Sequence, residues 1–128
     1  MATVLATTSL ELEPEKKQKL IDALGETLGS MFRTYSLYYI DIPQEHVSEG
    51  AKDQTTFFVF VPPYMEIERR RQLVKILNDT MVREVGYKGP LKNIVIYKYH
   101  DDEACGVDGV LRADAKAAKA KAEAEAQK

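Results

Sequence analysis

The side chains able to do chemistry in this chain are few and scattered. One cysteine (Cys105), two histidines (His46 and His100), seven tyrosines and the run Arg69-Arg70-Arg71 stand out from the inventory. Cys105 has no sequence-local base to draw off its proton, so thiolate chemistry gets little support. His100-Asp101-Asp102-Glu103 gathers metal-ligating residue types. Adjacent ligands in one loop, with no second histidine nearby, lack the spacing of a metal site, and neither metal nor cofactor is expected. Arg69-Arg70-Arg71 falls in a helical stretch where consecutive residues point in different directions, and it reads as a solvated face. Tyr35, Tyr38, Tyr39, Tyr64, Tyr97 and Tyr99 are dense near strand ends, the usual place for half-buried rings with hydroxyls reaching water. No spacing marks a Ser-His-Asp arrangement.

The elements that must position these residues repeat. Residues 3–10 read as a β-strand, and Glu13-Pro14-Glu15 opens a helix with proline and carboxylates in its first turn. Leu20, Ile21, Leu24, Leu28, Met31 and Phe32 give that helix an apolar stripe. Gly25 and Gly29 lie one turn apart and predict a close approach of helix backbone to sheet. Tyr38–Ile42 reads as a second strand stopped by Pro43, and residues 44–54 as a loop. The pattern then restarts with the apolar run Phe57–Val61, a helix over about 66–85 with Leu73, Val74, Leu77 and Met81 inward, and a strand at Ile94–Tyr97. An offset of 53 pairs Leu20 with Leu73, Ile21 with Val74, Leu24 with Leu77, Thr27 with Thr80 and Leu28 with Met81. Two β-α-β units follow, each with a right-handed parallel crossover. The expected fold is α/β (α+β), a four-stranded mixed sheet with two helices on one face. The other face is then left to a second subunit. The domain spans residues 1–111, with unit one about 2–43 and unit two about 55–109. Residues 112–128 form an Ala/Lys/Glu tail, read as a frayed helix or disordered, with a weak oligomer contact as the sharper alternative.

Composition narrows the partners. With 128 residues, 45% hydrophobic, 30% charged and a net charge of −2, the chain reads as one soluble globular domain. No basic excess supports nucleic-acid binding. No apolar run reaches the roughly 20 residues of a membrane span, and no secretory signal is visible. The single cysteine precludes an internal disulfide and suits a reducing compartment, so a cytoplasmic location is expected.

Over residues 2–109 this order of elements resembles the tautomerase superfamily, above all its fused members of the malonate semialdehyde decarboxylase and cis-3-chloroacrylic acid dehalogenase types. Cys105-Gly106-Val107-Asp108-Gly109 sits where short tautomerases carry an aromatic–Gly–Ile–Gly–Gly turn. Residues 10–20, LELEPEKKQKL, are similar to the family's strand-to-helix junction. The resemblance implies catalysis by an amino-terminal proline amine, held in an apolar pocket and moving a proton between carbon and oxygen. Arginines would bind the substrate carboxylate.

Here the proline position is Ala2. The expected arginines fall on Leu12, on Pro63 and Met65, and near Ile94 with Lys92 as the nearest cation. The resemblance therefore implies a pocket at the Ala2 end. The Ala2 amine would act as base or Schiff-base amine once Met1 is removed. Tyr39 (or its neighbour Tyr38) would donate to an enolate, and Lys92 and Cys105 would contact a small carboxylate. It also implies a homotrimer. The alternative is a non-catalytic binding or assembly module, on this fold or on a ferredoxin-like one. Strand pairing discriminates the folds, because only the tautomerase arrangement sets each unit's two strands side by side and parallel.

Overall fold

The structure is a computed structural model describing residues 1–127. Its main sheet consists of β1 (Ala2–Thr8), β2 (Tyr35–Asp41), β3 (Thr55–Val61) and β4 (Asn93–Tyr99), in the order β2-β1-β3-β4. β1 and β2 are parallel, β3 and β4 are parallel, and the two pairs join through antiparallel β1 and β3. That pairing is the tautomerase arrangement and excludes the interleaved ferredoxin-like sheet. Helices α1 (Pro14–Gly29) and α2 (Ile67–Val85) are the two crossovers. Two short 3₁₀ turns, Gln44–His46 and Glu49–Ala51, lie in the loop between the units.

Strand alternation sets the layers. Ala2, Val4, Ala6 and Thr8 of β1, with Thr55, Phe57, Val59 and Val61 of β3, are buried on one face. The helices cover them with Leu20, Leu24 and Leu28 from α1, and Leu73, Leu77 and Met81 from α2. Each fully buried aliphatic or aromatic side chain contributes about 1.5–3 kcal/mol, so this seam is the main stabilising feature. One row crosses the whole sheet on that face: Leu37, Val4, Val59 and Tyr97 are successive partners. The opposite face carries Leu5, Phe58, Phe60, Ile94 and Ile96, with no element of the described residues over it.

The two units superpose through a pseudo-twofold axis that can be located in atoms. The Thr27 and Thr80 hydroxyls, 53 residues apart, meet at 2.6 Å. Each also bonds back to its own helix, Thr27 to the Ala23 carbonyl at 3.0 Å and Thr80 to the Ile76 carbonyl at 2.7 Å. The glycine expectation holds as well. A Cβ on Gly25 would stand 3.3 Å from the Tyr35 hydroxyl and one on Gly29 3.6 Å from its ring, so the pair makes room for Tyr35 beneath α1.

Several sequence expectations shift. β2 begins at Tyr35 rather than Tyr38, because pairing with β1 extends it past the reach of local pattern. Val74 is 43% exposed rather than inward; Leu73, Leu77, Thr80 and Met81 already fill the buried side of α2. After β4 the chain makes a small hairpin, β5 (Gly106–Val107) with β6 (Val110–Leu111), turning at Asp108-Gly109. The tail then forms α3 (Arg112–Ala126), which buries no side chain; Lys128 lies outside the described residues. Among the described residues no helix is long and apolar enough to cross a membrane.

Candidate functional site

A cavity of about 340 Å³ opens where β1 begins. Antiparallel pairing brings the end of β3 and the following junction alongside the first residues of the chain, so Val61, Pro62, Tyr64 and Met65 form one side and Met1 and Phe32 the other. Ala2 is fully buried, and its backbone N–H donates to the Thr34 carbonyl at 3.1 Å. Two charged residues from the start of α2, Glu66 and Arg69, complete the lining. The Arg69 guanidinium lies 5.7 Å from the centre of the Phe32 ring and donates to the Met31 carbonyl. A guanidinium has five N–H donors, and among the described residues only one backbone acceptor engages them.

The C-terminal helix reaches the rim of this cavity. Lys116 Nζ lies 2.7 Å from Asp102 Oδ2 and 3.4 Å from the Tyr64 hydroxyl, with its ammonium 5.4 Å from the Tyr64 ring centre. Backbone bonds from Arg112 to the Cys105 carbonyl (2.8 Å) and from Ala113 to the Asp102 carbonyl (2.9 Å) hold its first turn. Lys116, and then Arg112, hold the Asp102 carboxyl below the usual aspartate range.

The opposite end of the sheet is closed by hydroxyls. Tyr87 donates to Thr55 Oγ1 at 2.7 Å, and Thr55 donates to Thr8 Oγ1 at 2.8 Å. Thr8 also accepts the Leu10 N–H at 3.0 Å. The Lys92 carbonyl accepts the Thr55 N–H at 2.8 Å and lies 3.3 Å from the Tyr87 hydroxyl. The Tyr39 hydroxyl is buried without a partner among the described residues. Burial, with Asp41 and Tyr87 nearby, pushes its pKa up to about 12. Outside this cluster a groove of about 500 Å³ runs along the β1–α1 junction, spanned by a Lys17–Asp41 ion pair at 2.6 Å.

No protein-family model matches the chain and no curated protein sequence is similar to it. Solved structures are. A wild-type fused 4-OT in an asymmetric trimer superposes with a TM-score of 0.77 at 15% identity, covering 89% of this chain and 98% of that one. Pt0534 inactivated by 2-oxo-3-pentynoate gives 0.66 at 22% identity, covering 90% and 97%. Malonate semialdehyde decarboxylase gives 0.69 at 12% identity, covering 91% and 98%. The chain has the tautomerase fold.

On that fold the four residues singled out from sequence separate into two groups. Ala2 is fully buried directly behind Met1, which lines the cavity just described. Cys105 follows β4 at the same end, half-buried, with its carbonyl bonded to Arg112, but it does not line the cavity. Tyr39 pairs with Ala6, and Lys92 adjoins Thr55, whose strand partner is Thr8. At about 3.3 Å per residue along a strand, Lys92 is thus roughly 20 Å from Ala2 and Tyr39 roughly 13 Å. Within one chain, Lys92 and Tyr39 do not reach the Ala2 pocket. The reason is the axis: β3 runs against β1, so the residue before β4 lies at the far end of the sheet from the start of β1.

The cation that does line the cavity is Arg69, which the sequence assigned to a solvated face. Its two neighbours go elsewhere, as helical geometry requires. Arg70 donates to the Tyr99 hydroxyl at 2.7 Å, and Arg71 pairs with Glu68. The missed signal was positional. Arg69 stands one turn into the helix whose preceding junction, Pro62–Met65, abuts Ala2, and that adjacency follows only from antiparallel β1/β3 pairing.

Proposed function

We propose that this chain is a tautomerase-fold enzyme that moves a proton between carbon and oxygen in small 2-oxo or 2-hydroxy-alkenoate acids, using the Ala2 amine once Met1 is removed. The cavity at the start of β1 carries this reading: loss of Met1 would leave a primary amine at its edge, between apolar walls and Arg69. An α-amino group titrates at about 7.7–8.0 in water, and apolar surroundings disfavour its charged form. Free base for proton abstraction would then be present near neutral pH. The Arg69 fork would hold the substrate carboxylate, opposed by Glu66, which limits the site to ligands that place their anion on the arginine side. That Pt0534 is inactivated by 2-oxo-3-pentynoate supports small 2-oxo acids as the compounds to try.

We infer further that the protein assembles as a homotrimer. The sheet face away from the helices exposes Tyr38 (55%), Ile40 and Ile96 (40%) beside Leu5, Phe58 and Phe60. An apolar sheet face of this kind needs a covering layer, and fused 4-OT of similar fold is a trimer.

The test compares enol-to-keto conversion of a simple 2-hydroxy-alkenoate by protein beginning at Ala2 and by protein with an N-terminal extension. Conversion above buffer is expected only for the free amine, with a mass increase on the Ala2 peptide after treatment with 2-oxo-3-pentynoate. Arg69→Gln should lower kcat/KM by about tenfold to a hundredfold. One feature favours a second reading, a non-catalytic binding module: with Met1 in place the Ala2 nitrogen is an amide already bonded to Thr34. Absence of turnover and of adduct in the Ala2-starting trimer would select it.

A further inference from the structure

Two shallow grooves run between a helix and an unpaired sheet edge, and the pseudo-twofold axis relates them. One lies between α1 and β2, lined by Ile21, Asp22, Glu26 and Leu37 among others; the other lies between α2 and β4, lined by Arg70, Arg71, Val74 and Tyr97 among others. Ile21 and Val74 are counterparts at the 53-residue offset, and each is the part of its helix's apolar stripe that the fold leaves unburied. The charges are not equivalent. Asp22 and Glu26 make the first groove acidic, whereas Arg70 and Arg71 make the second basic.

We propose that these grooves are the two halves of one interface between copies of this chain, the acidic α1/β2 edge of one subunit seating against the basic α2/β4 edge of the next. The proposal rests on the homotrimer reading and specifies which surfaces form it. A cyclic assembly other than a dimer requires a heterologous contact, two different patches on each subunit that complement each other. Closure requires more: the patches must lie at one height along the rotation axis, since a vertical offset would generate a filament. For a rotation axis running along the strands the sheet meets that condition. Leu37 of the acidic groove and Tyr97 of the basic groove occupy the same cross-sheet row, through Val4 and Val59.

Hydrogen bonding agrees with this assignment. Neither Arg70 nor Glu26 makes an ion pair among the described residues; the Arg70 guanidinium donates to the neutral Tyr99 hydroxyl at 2.7 Å. The remaining groups have local partners to exchange or share: Arg71 has Glu68, and Asp22 accepts from Gln18 at 2.9 Å. Exposed Val74 and half-exposed Ile21 supply apolar contact beside the charges, and like charges brought together at such a site would be repelled.

Charge reversal tests the assignment by sedimentation equilibrium, with circular dichroism confirming that each variant is folded. Asp22→Lys with Glu26→Lys, or Arg70→Glu with Arg71→Glu, should each convert the trimer to monomer. All four changes on one chain restore opposite signs across the contact and should restore the trimer. If a reversed variant fails to fold, the neutral pair Asp22→Asn with Glu26→Gln replaces it and should raise the concentration for half-assembly about tenfold or more. A wild-type monomer at all concentrations would overturn the trimer reading and this one together. A wild-type trimer that survives both charge reversals, or a fourfold variant that stays monomeric, would overturn the groove assignment alone.

Discussion

At the Ala2 end of the sheet a cavity lies over the start of β1, whereas at the Thr55 end a hydroxyl chain fills that place and the opening moves outward, to the groove along the β1–α1 junction. The axis maps Ala2 onto Thr55 and Thr8 onto Val61, so the same two positions are Ala/Val at one end and Thr/Thr at the other. The backbone is alike at both: the Ala2 N–H bonds to Thr34 at 3.1 Å and the Thr55 N–H to Lys92 at 2.8 Å. The side chains decide the outcome. Buried hydroxyls require partners, and Thr8 and Thr55 recruit each other and Tyr87. Ala2 and Val61 ask for nothing polar, which leaves room for a ligand between Phe32, Met65 and Arg69. The repeat supplies two mouths, and a few side chains determine what lines each.

Where the halves agree, equivalent substitutions should act equally. Leu24→Ala and Leu77→Ala, counterparts that are both fully buried, should each cost about 2–5 kcal/mol in denaturant unfolding; unequal losses would break the symmetry at its strongest point. Where the ends differ, the effect should be one-sided. Tyr87→Phe removes the donor that begins the hydroxyl chain and should cost about 1–2 kcal/mol, with the Ala2 cavity unchanged. The closed end also predicts an alkaline limit. Tyr39 is raised to about 12, chiefly by burial, and Tyr87 is raised for the same first cause. The folded state therefore keeps protons that the unfolded chain gives up near pH 10. Stability from these groups is complete below pH 10 and is lost as pH rises, for Tyr39 up to about 12, and Tyr39→Phe should move the midpoint of alkaline unfolding upward. Least in size, Asp102→Asn should fray α3, seen as reduced helical ellipticity, and leave the global unfolding midpoint in place. Acidification should do the same, but only below the ordinary aspartate range, because Lys116 depresses the Asp102 pKa.

Periodicity made the architecture legible: the repeat offset read from Leu20/Leu73 and Thr27/Thr80 is the one the structure realises in a side-chain contact. Local signals also placed the helix starts, and Gly86 ends α2 in the left-handed conformation (φ +82°). Nonlocal consequences were harder to see. Tyr35 joins β2 only because β1 lies beside it. Arg69 and Lys92 exchange importance once β1 and β3 run in opposite directions, since equal offsets along the chain become opposite ends in space. Val74 fits the helical period as an inward residue, yet the stripe is wider than the buried seam. The Asp108-Gly109 pair carries a hairpin signal, but two-residue arms are too short for strand periodicity to show.

The meeting of Thr27 and Thr80 constrains how this chain can change. A residue on a twofold axis faces its own counterpart, so its chemistry must tolerate its mirror in the other repeat. A carboxylate or an ammonium entering both positions would meet its like, and entering one alone would lie against a neutral neighbour beneath two helices. A hydroxyl gives and receives with the same atom and avoids the conflict. The two repeats are free to diverge at their ends, where one lines its mouth with apolar side chains and the other backs it with hydroxyls, but at this point they must change together.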